Sequence, residues 1–221
     1  TEQLNSIIIP ITYEIKKGTK GLEESIAKVC QKANEEAQKN TSFIILSDKT
    51  INKETAPIPS ALIVSAVHHH LIENGNRMKT AILVQSGEPR EVHHFAVLIG
   101  YGADAINPYL AFESLEKMLN TDKEFSNKIQ SDNLNYCSVA FNNYIKAINK
   151  GLVKVMSKMG ISSVQSYRGA QIFEAIGLNS QFVAKYFKGT PSRIEGIGLD
   201  TINDETEIKF SKAFPKRNSN K

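Results

Sequence analysis

The sequence predicts an α/β fold, an incomplete (β/α) barrel-like domain with mainly parallel strands covered by helices. Short continuous apolar runs alternate with amphipathic stretches at helical spacing, which is typical of right-handed βαβ units. Polar residues follow each apolar run, as at the carboxyl ends of barrel strands. Four such units in 221 residues are too few for an eight-stranded barrel, which takes about 250 residues. We therefore expect a partial barrel, or part of a larger chain.

The first unit follows an amphipathic helix. Residues 22 to 37 place Leu, Ile, Val, Cys and Ala at helical spacing, opposite a face of Glu and Lys. Residues 42 to 48, SFIILSD, form a short apolar run. Its continuous rather than alternating apolarity predicts a strand covered on both faces. Residues 58 to 75 then predict a helix that ends at Gly75, a plausible left-handed capping position.

The second and third units repeat this order. Strands are predicted at residues 80 to 88 and 103 to 109, and helices at residues 89 to 99 and 110 to 119. Residues 120 to 136 are rich in Asn, Asp, Lys and Ser, which indicates a polar surface excursion that is partly helical.

The last unit begins with a long helix over residues 138 to 159, in which Gly151 is a candidate break. Lys146 and the three lysines that follow it at four-residue spacing predict one solvated face of this helix. A fourth strand is predicted at residues 162 to 170, followed by helical residues 171 to 176.

The polar residues after these strands form the candidate site. In a βα-repeat protein the carboxyl ends of parallel strands meet on one face, where ligands and partners bind. We expect Asp48, Glu88, Asn107 and Arg168 to share that face, with Arg168 paired to a neighbouring acid. We also expect it to meet another domain rather than a substrate. The complete candidate interface comprises Asp48, Ser86, Glu88, Asn107, Gln165, Tyr167 and Arg168.

Composition excludes several classes of function. The formal charge is +4, and the lysines are scattered, so nucleic acid is not an expected partner. No apolar run has the length of a membrane span, and no signal peptide opens the sequence. Cys30 and Cys137 each stand alone, which predicts two small buried hydrophobes in a reducing compartment. We expect a cytoplasmic protein, or a plastid one if the source is a photosynthetic eukaryote.

The five histidines raise the question of a metal site. His68, His69 and His70 are consecutive on a predicted helix and point about 100° apart, so they cannot all face one metal. His93 and His94 have the same difficulty, although one residue from each cluster could converge with Glu88 or Asp104. The H-E-x-x-H pattern is absent. Buried, hydrogen-bonded histidines are the favoured interpretation, and we expect no bound transition metal.

Two glycine-containing segments raise a phosphate hypothesis. Gly100 and Gly102 follow a helix and precede a strand, which is the wrong order for a phosphate loop and suits a helix cap and a tight turn. Residues 189 to 198, GTPSRIEGIG, could contact phosphate or flavin but match neither a P-loop nor a dinucleotide fingerprint. No G-x-S-x-G motif is present, and Ser86 is better explained as a loop hydroxyl that caps the next helix.

Long ordered blocks of the sequence resemble the central region of the large subunit of glutamate synthase. The blocks are APIPSALIVSAVHHHLI, SGEPREVHHFAVLIGYGADAINPYLAFE, YIKAINKGLVKVMSKMGISSVQSYRGAQIFEAIGLN and GTPSRIEGIGLD. They cover most of residues 46 to 200, which makes the resemblance far more specific than any short motif above.

The resemblance implies an enzyme that transfers the glutamine amide nitrogen to 2-oxoglutarate with reduction, giving glutamate. An amidotransferase domain would release ammonia with its first-residue cysteine, and a carboxyl-terminal barrel would carry FMN and a 3Fe-4S cluster. The central domain would join the two and help frame the ammonia route. Thr1 replaces that cysteine here, and two lone cysteines cannot bind the cluster. The resemblance thus implies no cofactor and no catalytic residue within this chain.

These expectations divide the chain in two. Residues 1 to 200 are the central domain, and residues 201 to 221 are a polar tail or linker toward an FMN-binding domain. The amidotransferase and FMN-binding domains of the same polypeptide are the expected partners. The alternative is a free-standing (β/α) barrel enzyme that binds a metal or a phosphorylated ligand at the carboxyl ends of its strands.

Overall fold

A four-stranded parallel sheet organises the fold in the computed structural model, which describes residues 4 to 122 and 136 to 215. Apolar runs of three to five residues form its strands, in the order β1-β3-β5-β6 with β1 and β6 at the edges. All three strand pairings are parallel. The strands are β1 (Ser6–Pro10), β3 (Phe43–Ser47), β5 (Ala81–Gln85) and β6 (Ala105–Asn107). A short strand β2 (Thr12–Glu14) pairs antiparallel with β4 (Thr55–Pro57) beside it.

Helices connect these strands and form the rest of the core. Most carry an apolar stripe that packs inward, and two single 3₁₀ turns, Ile15–Lys17 and Arg77–Lys79, tighten the chain before a helix and before a strand. In the described part of the chain the helices are α1 (Gly18–Gln38), α2 (Ser60–Glu73), α3 (Val92–Gly100), α4 (Tyr109–Thr121), α5 (Tyr136–Lys158), α6 (Val164–Tyr167), α7 (Ser180–Tyr186) and α8 (Leu199–Ala213).

A second, two-stranded parallel sheet follows the long helix α5. It pairs β7 (Ala175–Leu178) with β8 (Ser192–Ile197), and α7 connects them. Within the described residues no strand pair joins this sheet to β6, so the barrel stays open. The expected fold class, an incomplete barrel of mainly parallel strands covered by helices, is therefore confirmed.

Burial alternates along the sheet more than the apolar runs predict. Ile9, Leu46 and Val84 lie on the face that packs against α1 and α2 and are buried. On the opposite face, the aligned residues Ile8 and Ile45 are exposed and half-buried, respectively. One face of the sheet is thus less completely covered than the other in the described part of the chain. A continuous apolar run does not show how completely each face of a strand is covered.

Strand β2 and the last helix meet in the core. Tyr13 in β2 is buried, and its hydroxyl donates to Asn203 Oδ1 in α8 at 3.0 Å. Ile202 and Phe210 of the same helix pack against the main core. The division of domains at residue 200 stays a prediction, but the segment after it is a packed helix as far as Ala213.

Three details of the expected element order need correction. Residues 162 to 170 contain the one-turn helix α6 instead of a strand, because Ser163 Oγ caps it by accepting from Ser166 N–H at 3.1 Å. Residues 171 to 176 end in β7 rather than forming a helix. Gly151 does not interrupt α5. Most of the polar excursion at 120 to 136 lies outside the described residues.

Candidate functional site

Asp48 is the centre of a hydrogen-bond network at the carboxyl end of the sheet. It follows β3 directly and is buried. Its Oδ2 accepts from Ser86 Oγ at 2.6 Å and from Gly87 N–H at 3.0 Å, both in the loop after β5. A buried carboxylate without such donors would be strongly destabilising. Asp48 thus ties together the two loops that follow neighbouring strands.

Tyr109 lies next to Asp48, and Lys49 lies next to Tyr109. Burial raises the pKa of Tyr109, and the adjacent Asp48 carboxylate raises it further. Lys49 Nζ lies over the Tyr109 ring at 4.8 Å from its centroid, a cation–π arrangement. The phenol therefore stays protonated at neutral pH and serves as a donor rather than as a base.

Glu88 caps a helix from a neighbouring loop. Its Oε2 accepts from Ser60 N–H at 2.7 Å and from Ser60 Oγ at 2.6 Å. Ser60 is the first residue of α2. A carboxylate at a helix amino terminus neutralises unsatisfied N–H groups and interacts favourably with the helix dipole. Glu88 therefore orients α2 against the sheet.

Asn107 is the last residue of β6 and is exposed. Its backbone carbonyl accepts from Ser86 N–H at 3.2 Å. The structure thus brings Asp48, Ser86, Glu88 and Asn107 together at the carboxyl ends of adjacent parallel strands. Asp48, Ser86 and Glu88 are satisfied by donors within the domain. The proposed role of this face as an interface stays a prediction.

Arg168, Gln165 and Tyr167 do not join that face. Arg168 forms an ion pair with Asp104, which immediately precedes β6 and so lies at the amino end of the sheet. Gln165 Oε1 accepts from Arg168, and Tyr167 is buried beside Ala96. The expected grouping of Arg168 with Asp48 is therefore wrong. The reason is that residues 162 to 170 do not form a strand of the sheet, so Arg168 does not follow a strand end.

The amino end of the sheet carries a cluster that sequence reasoning missed. Asp104 accepts from Arg77 Nη2 at 2.8 Å and from Ile82 N–H at 2.8 Å, and it also pairs with Arg168. Arg77 donates in addition to the carbonyls of Thr80 and Gly102, at 2.8 and 2.9 Å. These contacts fix the turn before β5. No local pattern marks them, because the paired residues are up to 64 positions apart along the chain.

His68 belongs to the same cluster. Arg77 Nε donates to His68 Nδ1 at 2.9 Å, so the proton of the neutral ring resides on Nε2. Burial, together with the charge of Arg77, lowers the pKa of His68 to about 4. The ring packs against Gly102, where a Cβ would lie 2.3 Å from His68 Nδ1. His68 is thus a neutral structural acceptor at physiological pH.

The remaining histidines are dispersed. His69 Nδ1 lies 2.8 Å from the carbonyl of Ser65, and His94 Nδ1 accepts from Glu91 N–H at 3.2 Å as part of a capping box. His93 and His94 are exposed, so the expectation of buried histidines is wrong for that pair. Among residues 4 to 122 and 136 to 215, no three His, Cys, Asp or Glu side chains are grouped in a way that could hold a metal ion.

The cysteines and the glycine segment have packing roles. Cys30 is buried, which raises the pKa of its thiol to about 12, whereas Cys137 is only half-buried, contrary to the expectation of two buried thiols. Residues 189 to 198 mainly form β8, where a Cβ at Gly196 would lie 2.1 Å from the carbonyl oxygen of Gly177 in β7. Gly196 thus allows the two strands to approach. None of the helices described here is long and apolar enough to cross a membrane.

Comparison with known proteins identifies several similar sequences. Residues 1 to 179 match the family described as glutamate synthase central domain. The chain is 47% identical over 193 residues to the large chain of glutamate synthase [NADPH] from Bacillus subtilis, covering 87% of this chain and 12% of that one. It is 41% identical over 216 residues to a ferredoxin-dependent glutamate synthase from Pyropia yezoensis, covering 96% of this chain and 14% of that one.

A third relative and one solved structure complete the comparison. Glutamate synthase [NADH] from Schizosaccharomyces pombe is 39% identical over 207 residues, covering 94% of this chain and 10% of that one. A variant of flavocytochrome b2 with sulfite bound aligns with a TM-score of 0.45 and 13% identity, covering 75% of this chain and 34% of that chain. The chain thus spans about one tenth to one seventh of the curated relatives named here.

Proposed function

The chain belongs to the glutamate synthase central domain family, and from that membership we propose that it is the non-catalytic central domain of a glutamate synthase polypeptide. The complete enzyme would transfer the amide nitrogen of glutamine to 2-oxoglutarate and reduce the product to glutamate. The reaction would contribute to ammonia assimilation and glutamate biosynthesis. This chain would supply the scaffold between the catalytic domains.

The observation that supports a non-catalytic role is that Asp48 and Glu88, at the carboxyl ends of the strands, accept hydrogen bonds from groups within the domain. Asp48 accepts from Ser86 and Gly87, and Glu88 accepts from Ser60. Both carboxylates are therefore occupied by structural donors. The hydroxyl that each one contacts belongs to a buried serine, Ser86 or Ser60, which is poorly placed to attack a substrate. A general base needs a free lone pair directed at a substrate.

The variety among relatives supports a role that is independent of the electron donor. The relatives are named as NADPH, NADH and ferredoxin-dependent enzymes, yet each is 39% to 47% identical to this chain. We infer that the donor is recognised outside this domain. FMN and a 3Fe-4S cluster would likewise belong to the FMN-binding domain, and ammonia release would belong to the amidotransferase domain. The cytoplasm, or a plastid in a photosynthetic eukaryote, is the proposed compartment.

The test uses the full-length enzyme with single changes on the carboxyl-end face. We expect Asp48→Asn, Glu88→Gln and Asn107→Ala to retain kcat for glutamine-dependent glutamate formation within about threefold, once corrected for the folded fraction, because a threefold change is under 1 kcal/mol of barrier. Replacing the nucleophilic cysteine of the amidotransferase domain is the control that abolishes this activity.

A fall in kcat of about a hundredfold or more, at unchanged Tm, would contradict the proposal. Such a fall in any one of the three variants would identify that residue as part of a catalytic centre. It would favour the alternative of a barrel enzyme whose ligand binds at the carboxyl ends of the strands.

A further inference from the structure

An exposed apolar rim surrounds a basic pocket at the amino end of the sheet. We call this the amino-end surface and define it by Leu4, Ile72, Arg77, Met78, Lys79 and Arg168. The pocket is open, has a volume of about 890 Å³, and is also lined by Phe43, His68 and Asp104. It lies at the opposite end of the strands from Asp48, and its lining does not include Asp48, Ser86, Glu88 or Asn107.

The rim consists of large apolar side chains that the domain leaves uncovered. Met78 is 96% exposed, Leu4 is 72% exposed and Ile72 is 51% exposed. Met78 stands in the 3₁₀ turn Arg77–Lys79, and the hydrogen bonds of Arg77 hold that turn on both sides. The methionine is thus presented on a rigid support. Contiguous exposed apolar groups of this kind mark protein interaction sites, and methionine adapts to the shape of its partner.

The charge of the pocket selects the partner. Among the lining residues, Arg77, Lys79 and Arg168 are cationic and Asp104 is the single carboxylate, so three positive charges and one negative charge leave +2. Asp104 is already paired with both arginines. Lys79 is exposed and forms no ion pair with any residue of the described ranges. The free charge at the pocket wall is therefore positive.

We propose that the amino-end surface docks a protein segment that carries at least one carboxylate beside an apolar side chain. The carboxylate would face Lys79 and Arg168, and the apolar side chain would cover Met78 and Ile72. Resting on the proposed function, we assign this segment to a part of the longer polypeptide outside residues 1 to 221. The matched region is about an eighth of the Bacillus subtilis relative, which leaves ample chain to supply it.

A second copy of the chain fits less well. In a symmetric dimer the same patch meets itself, so Lys79 would approach the cations of its partner, and like charges in contact disfavour association. Nucleic acid would meet the positive charge, but the methionine, leucine and isoleucine rim offers it no phosphate contact. An acidic, partly apolar protein segment complements both the positive charge of the pocket and the apolar side chains of its rim.

Methionine oxidation in the full-length protein tests the proposal. The chain has four methionines, and exposure alone would make Met78 react fastest with hydrogen peroxide. Met118 and Met159, at 45% and 48% exposure, are internal references, and buried Met156 is the protected one. We expect Met78 to react at least fivefold more slowly than Met159 in the folded enzyme, and equally fast in urea.

The result that would overturn the proposal is rapid oxidation of Met78 in the folded full-length enzyme. Protection that disappears on dilution would also overturn it, because the occupant would then be a second copy. Both outcomes are independent of catalysis, so they can be told apart from a failure of the proposed function, which is read from kcat.

Charge reversal tests the polar half of the surface. We expect Lys79→Glu in the full-length enzyme to raise the oxidation rate of Met78 at least fivefold, whereas Lys28→Glu, on the exposed side of α1, leaves it unchanged. A zero-length carbodiimide cross-link should join Lys79 in the unmodified enzyme to an Asp or Glu outside residues 1 to 221. Equal effects of the two reversals, or a cross-link only within residues 1 to 221, would contradict an acidic docking segment.

Discussion

Arg77 and His68 are joined by a hydrogen bond in which Arg77 Nε donates to the neutral His68 ring at 2.9 Å. The same arginine pairs with Asp104 and donates to two backbone carbonyls. The bond requires His68 to keep a lone pair on Nδ1, so protonation of the ring would break it. The cluster at the amino end of the sheet is therefore sensitive to acid.

Stability should fall in acid because of His68. Burial and Arg77 lower the pKa of His68 from 6.5 to about 4, so between these values the unfolded state binds a proton that the folded state does not. The stabilisation is complete above pH 6.5 and is lost as the pH falls toward 4, by roughly 3 kcal/mol at most. Urea unfolding at pH 7 and pH 4.5 measures it. His68→Asn should show a smaller loss than the wild type, and His93→Asn, at an exposed position, should show the same loss. Equal losses for all three proteins would contradict the assignment.

Removing the shared acid should destabilise the fold more than removing a surface acid. Asp104→Asn leaves Arg77 and Arg168 without their carboxylate in a largely buried site, and we expect a loss of about 2 to 4 kcal/mol. Glu73→Gln breaks the exposed pair with Lys188 and should cost under about 1 kcal/mol. Urea midpoints of the two variants give the comparison. Similar losses would mean that the amino-end cluster contributes no more than a surface pair.

Gly102 should not tolerate a side chain. Its φ is +114°, and a Cβ there would lie 2.3 Å from His68 Nδ1, so Gly102→Ala adds a clash to backbone strain. We expect a loss of about 2 to 4 kcal/mol, against about 1 kcal/mol for Gly160→Ala, where φ is +70° but the space is open. Thermal unfolding of both variants measures the difference. If Gly160→Ala proved as costly, the close approach of His68 would not be the cause.

The cap supplied by Glu88 should be measurable in α2. Glu88→Ala removes the acceptor for Ser60 N–H and Oγ, and we expect a loss of about 1 to 2 kcal/mol. Glu88→Gln keeps an acceptor oxygen but loses the charge at the helix terminus, so about half of that loss is expected. Hydrogen exchange of the first-turn amides of α2 should accelerate in the alanine variant. Unchanged exchange there would exclude a capping role.

Local patterns predict much of this fold because each helix and strand carries its own periodicity. The helix over residues 22 to 37 and the strand at residues 42 to 48 agree with α1 and β3 to within a few positions. Gly75, expected as a capping glycine, has a φ of +67°. Such features depend on neighbouring residues alone.

The main sheet has four parallel strands, as predicted, but one of the four is not a predicted strand. Four parallel units were expected with the fourth at residues 162 to 170, whereas the fourth strand of the main sheet is β1, with the sequence SIIIP. β1 is an edge strand with Ile8 exposed, and its apolar run precedes the first helix of the predicted repeat, so it falls outside the strand–helix pattern. Ser163, whose hydroxyl caps α6, is the local feature of the sequence that favours a helix over a strand in this segment.

The candidate site was predictable only where it depended on strand ends. Asp48, Ser86, Glu88 and Asn107 follow well-marked strands, and the right-handed crossover rule places such junctions at one edge. Arg77, Asp104 and Arg168 meet through tertiary packing of three separate turns. No sequence periodicity predicts these contacts, because they depend on how the segment after α5 packs against the sheet.

The buried bond between Tyr13 and Asn203 has a consequence for the order of events during synthesis. The two residues are 190 positions apart, and burial raises the pKa of Tyr13 to about 12, so its hydroxyl remains a donor. Translation proceeds at roughly 5 to 20 residues per second, so the partner of Tyr13 is made about 10 to 40 seconds later. Contacts of such long range slow folding. During that interval β2 lacks the helix that supplies the hydrogen-bond acceptor of Tyr13, so this part of the core is completed only after α8 has been synthesised.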